Sequence, residues 1–302
     1  MRKLTDAQRV KLMVDPLAEI DRHWLSLYGE IIADRRLSSS LKAYFLRIDE
    51  QPMDRDYSTW YPEQVVARER LMKAVNGLYR PQLVDQFKNL DTYSPSRRRS
   101  PKDGIEERLL KQVLLELIAV DDTPESHRLV LDHFRAATTA NDRVTALAAL
   151  NRSSAPTRRA VMDEVYQAWR EHLSGYANYL RVVSSGTRED VFEMIEAEKK
   201  RSSFDITQPT WCRALFLPMA VNNKMVWTDR GIQWVADTVV GLAPINATTA
   251  SRLLNTFQHV RRLKPELKGK VLPALQRIVQ AITPEISPTI HGQADAYVKG
   301  DG

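Results

Sequence analysis

Arg213 is the residue of this 302-residue chain whose surroundings most invite a chemical explanation. It stands in TQPTWCRALFLPMAVNN, Thr207 to Asn223, among Trp211, Cys212, Leu215, Phe216 and Met219, a segment otherwise suited to a core. Thr207 and Pro209 signal a helix start, and Cys212, Leu215, Phe216 and Met219 then recur at helical spacing as one apolar stripe. Cys212 belongs to that stripe. With no His or Lys at helical spacing to acidify its thiol, it reads as a small buried hydrophobe. Pro218 lacks an amide hydrogen and crowds the carbonyl of Ala214, so the helix should bend or stop there. Arg213 lies off the stripe, on the flank with Thr210. Two uses are open to it: its stem can cover apolar neighbours while the guanidinium meets water or a carboxylate, or the guanidinium can bind an anion.

A second constellation lies on the helix that begins at Asn246. Ala250, Leu253, Leu254, Phe257 and Val260 form its core stripe, leaving Thr248, Arg252, Asn255 and His259 in line along another face. Ordinary solvated faces are rich in Lys and Glu, and this one has neither. A lined groove or interior channel would account for the row, and so would a satisfied polar contact between helices.

Other chemistries find no residues. The single cysteine excludes a disulfide framework, and the six histidines show neither a Cys/His zinc pattern nor an H-E-x-x-H pair. No G-x-S-x-G or phosphate-cradling glycine loop is present. Carboxylates such as Glu106, Glu107, Glu193, Glu196 and Glu198 fall where a solvated charged face is expected. The 44 basic residues face 38 acidic ones, a mixed surface rather than a basic stripe, so no nucleic-acid partner is expected despite the net charge of +6. The one basic cluster, Arg97-Arg98-Arg99, sits in the loop-like SPSRRRSPKDG. The longest apolar run, Ala214 to Val221, is far short of the ~18 residues a membrane span needs, and Met1 to Val14 lacks a signal-peptide centre. A soluble, cytoplasmic protein without a membrane partner is expected.

The elements that must position these residues are helices throughout. Leu17 to Arg35, Ser39 to Ile48 and Pro62 to Leu90 carry amphipathic spacing, the last broken around Gly77 and Pro81. Ile105, Leu109, Leu110, Val113, Leu114 and Leu117 share one face, and Thr123-Pro124 supplies an N-cap and first-turn proline for the next helix. Asp142 can cap a further helix, Pro156 opens another, and Thr187-Arg-Glu-Asp190 resembles a capping box. About a dozen helices with short links make antiparallel neighbours, and so many cannot share a four-helix bundle. The expected fold is an all-α, irregular superhelix or solenoid of stacked antiparallel hairpins over residues 1–284, with 285–302 as a loose tail.

Four stretches, FRAATTANDRVTALAAL, VYQAWREH, SSFDITQPTWCRAL and NATTASRLLNTFQHVRRLKPELKGKVLPAL, resemble in order and spacing the C-terminal domain of the bacterial aminopeptidase N (alanyl aminopeptidase) family of zinc metallopeptidases. The resemblance spans roughly residues 20–285 and strengthens from Phe134 onward. It implies an all-helical domain that closes over a catalytic domain and walls an internal chamber. The family's zinc ligands, its catalytic glutamate and its G-A-M-E-N motif lie upstream and have no counterpart here, so no catalytic residue, metal or cofactor is expected in this chain, and zinc belongs to the parent enzyme. The family pattern S-F-x-x-x-N-P-N-R-x-R-S-L places its second arginine on Arg213, and N-P-x-x-A-S-R-L places an arginine on Arg252. Both would face the chamber and contact the far end of a bound peptide. Gln208, Thr210 and Trp211 depart from the family's Asn, Asn and Arg, Thr248 stands where glutamine is usual, and the loop from Asn222 to Trp227 is shorter. These departures bear on substrate contact rather than fold.

The expected function is that of a non-catalytic domain restricting substrate access, with Arg213, Arg252, Thr248, Asn255 and His259 lining the channel. Its partners would be the catalytic and N-terminal domains of the same parent chain and peptide substrates. The alternative is a free-standing α-solenoid scaffold that binds protein or nucleic acid.

Overall fold

The computed structural model of the chain describes residues 4–49, 53–90 and 104–300. Among these residues there are sixteen α-helices and no strand, as an all-α fold requires. Contacts divide the chain into two units, Met1–Glu50 with Glu63–Val161, and Gln51–Pro62 with Met162–Gly302. Arg97-Arg98-Arg99 lies outside the described residues.

The first unit contains α1 (Asp6–Val14), α2 (Arg22–Ala33), α3 (Ser39–Leu46), nearly all of α4 (Tyr61–Asn89), α5 (Ile105–Ala119), α6 (Pro124–Ala136) and α7 (Ala140–Arg152). Helix α5 is its centre, with α3, α6 and α7 packed on it. Leu110, Val113, Leu114 and Leu117 are buried as the spacing predicts, whereas Ile105 and Leu109, on the first turns of the same face, remain exposed. The C-terminal carbonyls of α5, which no helical amide can reach, are partly satisfied from α4: the Asn76 amide donates to Leu117 O at 2.7 Å and to Ile118 O at 3.0 Å. Thr123 caps α6 by accepting from the Ser126 amide, with Pro124 at the first helical position.

Several local expectations are corrected. Helix α4 runs unbroken through Gly77 and Pro81. The carbonyl that Pro81 leaves without a partner belongs to exposed Gly77, where water can replace the lost bond. Thr139, not Asp142, caps α7; Asp142 is buried inside the first turn and accepts from the Thr139 hydroxyl at 2.6 Å. Pro156 precedes α8 (Arg158–Trp169) by a turn rather than opening it, and Thr187 makes no capping box, since the N-cap is Asp190, whose side chain makes no capping hydrogen bond.

His133 of α6 is buried edge-on against Phe87, with ring centroids 5.1 Å apart. Burial, and then the neighbouring Lys111, lower its pKa to about 4, while Asp142 opposes them. The unfolded ring therefore binds a proton more readily than the folded one between the ordinary value of 6.5 and about 4. Stability should be intact above pH 6.5 and decline as pH falls through that window, by roughly 2 kcal/mol after allowance for partial screening. His133→Phe should flatten this part of a urea-denaturation profile; an unchanged pH dependence would refute the assignment.

The second unit holds α9 (Leu173–Ser184), α10 (Val191–Lys199), α11 (Pro209–Ala220), α12 (Asn223–Val226), α13 (Asp229–Leu242), α14 (Ala247–Leu254), α15 (Pro265–Ala281) and α16 (Pro288–Lys299), together with the end of α8. The consecutive pairs α9 and α10, α13 and α14, and α15 and α16 pack on each other, α11 packs on both α9 and α14, and α15 packs on α13. Residues 285–302, expected as a loose tail, instead carry α16. Ser287 and Pro288 start it, and Ile290, Ala294 and Tyr297 bury one side at helical spacing against α14 and α15. The Ile-Ser-Pro sequence read as coil is its N-terminal punctuation.

Candidate functional site

Helices α11 and α14 hold the residues singled out in the sequence. Gln208 caps α11, its side-chain oxygen accepting from the Thr210 and Trp211 amides, and Pro209 occupies the first turn. Cys212, Leu215, Phe216 and Met219 are each at most 1% exposed, so the predicted stripe is core. Pro218 falls in the last turn, and the helix ends two residues later at Ala220. On α14, capped by Asn246, Ala250, Leu253 and Leu254 form the facing stripe, and Phe257 and Val260 continue it at 1% exposure or less.

The thiol of Cys212 bonds the side chain of buried Thr249, and burial holds its pKa above the ordinary thiol value, so it is not a nucleophile at neutral pH. Cys212 of α11 and Thr249 of α14 are thus buried neighbours. Each partner has an exposed sequence neighbour, Arg213 beside Cys212 and Thr248 beside Thr249. Arg252, one turn after Thr248, is also exposed. Among the described residues neither Arg213 nor Arg252 is hydrogen-bonded or ion-paired, whereas Arg68, Arg80, Arg201, Arg230 and Arg277 all have carboxylate partners. Arg252 closes the last turn of α14, where a cation also complements the helix dipole. The two guanidiniums are thus available to an anionic group from outside.

The other two members of the row part from them. The α-helix ends at Leu254 and continues as a 3-10 turn over Asn255–Phe257, which changes the angular step and turns the row aside. Half-buried Asn255 accepts from Gln293 Nε2 at 2.6 Å and from the Tyr297 hydroxyl at 3.0 Å, tying α14 to α16. His259 lies near the Met53 backbone; burial, then Arg55 and Arg262, lower its pKa, so the ring is neutral at pH 7. Arg213, Thr248 and Arg252 therefore share solvent-facing positions on one helix pair, while Asn255 sits in an interhelical polar contact and His259 in a different environment.

One polar cluster was missed in the sequence. Glu198, expected on a solvated face with Glu193 and Glu196, is 3% exposed. It accepts from the Tyr179 hydroxyl at 2.8 Å, from Arg201 Nε at 2.8 Å and, more weakly, from the Tyr176 hydroxyl at 3.4 Å. Burial raises its carboxyl pKa, against the pull of those donors. Arg201 in turn lies 3.6 Å from the centre of the Tyr166 ring. Two tyrosines three apart on α9 and an arginine three residues after Glu198 were the available signals. No described group of three or more His, Cys, Asp or Glu side chains could hold a metal ion, and no described helix is long and apolar enough to cross a membrane.

A stack of helices with core stripes facing inward defines the class: a helical-repeat domain. A family model described as a domain of unknown function (DUF3458_C) with ARM repeats matches residues 1–291, and the chain belongs to that family. It is 27% identical over 175 residues to an aminopeptidase N of Caulobacter vibrioides, covering 57% of this chain and 20% of the relative. To aminopeptidase N of Escherichia coli K12 it is 23% identical over 186 residues, 61% of this chain and 21% of the relative. The chain thus spans about one fifth of these relatives. Its fold is that of part of a crystal structure of Legionella pneumophila aminopeptidase A in complex with aspartic acid, with a TM-score of 0.84 at 16% identity, covering 97% of this chain and 35% of that one.

Proposed function

We propose that the chain is the C-terminal, non-catalytic domain of a cytoplasmic zinc aminopeptidase, and that it walls the space through which peptides reach the catalytic domain. The observation that carries this reading is the similarity to two aminopeptidases N over more than half of the chain. Zinc and the catalytic glutamate are assigned to the remainder of the parent chain. The part given to this domain is electrostatic and steric. Arg213 and Arg252, exposed and without carboxylate partners, would attract the C-terminal carboxylate of a short peptide through charge-assisted bidentate bonds, with Thr248 beside them as a hydroxyl donor. Asn255, bonded to Gln293 and Tyr297, would hold α14 in place behind them.

Sequencing the coding DNA upstream of the Met1 codon tests the reading. An in-frame extension with G-A-M-E-N and H-E-x-x-H is expected; a stop codon directly upstream would favour the free-standing scaffold instead. The purified 302-residue chain should not hydrolyse alanine p-nitroanilide with or without added zinc, and zinc-dependent turnover would overturn the division of labour. In the parent enzyme, Arg213→Ala with Arg252→Ala should raise KM about tenfold for peptides with a free C-terminal carboxylate. The amidated peptides should be unaffected, and an equal loss on both would remove the proposed carboxylate contact.

A further inference from the structure

The solvent-facing edge of α11 that carries Arg213 has an apolar half. Thr210, Arg213, Leu217 and Val221 follow one another at helical spacing, so they line one side of the helix, away from the stripe of Cys212, Leu215, Phe216 and Met219. Leu217 is half-buried, and Val221, the residue that follows the last turn, is 40% exposed.

Helix α14 runs beside this edge in the same direction. Cys212 meets Thr249 near the two N-termini, and the Thr256 hydroxyl approaches Ala220 O at 3.5 Å just beyond the end of α14. Between these two ties, Arg252 stands level with the turn that leads from Arg213 to Leu217. Both helices bury their core stripes on the opposite side, so Thr248 and Arg252 share one face with the α11 row. That face changes character along its length. Two exposed guanidiniums mark one end, Leu217 follows Arg213 by about 6 Å along the axis, and Val221 follows by about 12 Å.

Cations without partners favour an anion, and apolar side chains left in water gain from a cover. A carboxylate and a side chain that branch from the same Cα can meet both demands across one helical turn. A phosphate or an acidic side chain would satisfy the cations and leave Leu217 and Val221 uncovered.

We propose that the face of α11 and α14 selects peptides whose C-terminal residue has a large apolar side chain, with its carboxylate on Arg213 and Arg252 and its side chain across Leu217 and Val221. This rests on the reading that the two arginines take a peptide carboxylate, and adds Leu217 and Val221 as the residues that set specificity.

The test titrates the 302-residue chain, labelled with 13C at leucine and valine methyl groups, with Ala-Gly-Leu, its C-terminal amide and Ala-Gly-Gly. The Leu217 and Val221 resonances are assigned through Leu217→Ser and Val221→Ser. Ala-Gly-Leu should shift both saturably at roughly millimolar concentrations, its amide should bind at least about tenfold more weakly, and Ala-Gly-Gly about fivefold more weakly. Each serine variant should keep its circular dichroism spectrum and its preference for acid over amide, while Ala-Gly-Leu and Ala-Gly-Gly come within about twofold of each other. Val221 is exposed and outside the helix, so its replacement leaves the core untouched even if Leu217→Ser does not fold. An amide that binds as well as the acid would remove both the carboxylate reading and this proposal. Acid preferred to amide but leucine no better than glycine, or a leucine preference that survives both substitutions, would overturn this proposal alone.

Discussion

Gly231→Ala should lower the stability of the second unit by about 2–4 kcal/mol, the largest effect of a single methyl group expected in this chain. Gly231 lies in the first turn of α13 and is buried against the end of α12. A Cβ there would stand 2.6 Å from the Val226 carbonyl oxygen and closer still to that of Met225. Both are backbone atoms, and neither can swing aside as a side chain would. The turn is also held from three directions. The Thr228 hydroxyl donates to Met225 O at 2.7 Å and accepts from the Gly231 amide at 3.0 Å. Trp227 donates its indole N–H to Asn223 at 2.8 Å, and its ring stacks on Tyr61 with centroids 5.3 Å apart. Relief of the clash must therefore break the N-cap or move a buried tryptophan. In thermal unfolding this should read as a midpoint lowered by roughly 5–15 °C. Gly269→Ala is the control: its Cβ would meet nothing within 4 Å in the interior of α15, so helix propensity should stabilise it by about 0.5–1 kcal/mol. Equal midpoints for the two variants would contradict the packing at α12 and α13.

Arg201→Ala should cost about 3 kcal/mol at pH 7, and the cost should shrink in acid. Arg201 is the cation that meets buried Glu198, at 2.8 Å, while its guanidinium covers the Tyr166 ring. Without it Glu198 keeps only phenol donors, and an unpaired buried carboxylate is costly. Burial already raises the folded-state pKa of Glu198 above the ordinary 4.5. The folded chain therefore binds this proton more tightly than the unfolded one. The associated stability is fully present below pH 4.5 and is lost as pH rises through the raised folded value. Removal of Arg201 raises that value further, so the loss continues to higher pH and becomes larger in the variant. Urea denaturation of both proteins at pH 4.5 and pH 7 should show the gap between them narrowing at the lower pH. A gap independent of pH would mean that Arg201 acts through its packing on Tyr166 alone.

The apolar periodicity of α5, α11 and α14 was legible in the sequence because a helix buried on one side must repeat its apolar residues every three or four positions. Thr123-Pro124 was equally readable, since capping is a matter of a few consecutive residues, whereas the start read from Thr207 and Pro209 is capped by Gln208 instead of Thr207. Less local features were not. Unbroken α4 depends on Gly77 facing solvent, and α16 depends on α14 and α15 presenting a surface that Ile290, Ala294 and Tyr297 can cover. The proposed row of Thr248, Arg252, Asn255 and His259 assumed a continuous helix. The change to a 3-10 step at Asn255 separated its halves.

By itself, the sequence determined that the chain is helical, which residues form the stripes of α11 and α14, and that Arg213 and Arg252 stand off those stripes. All of these follow from spacing along one helix. Only the tertiary structure decided that these two arginines have no carboxylate partners and that Glu198 is sealed beneath two tyrosines and an arginine. Those outcomes depend on which helices are brought together, and burial and pairing arise between segments rather than within them.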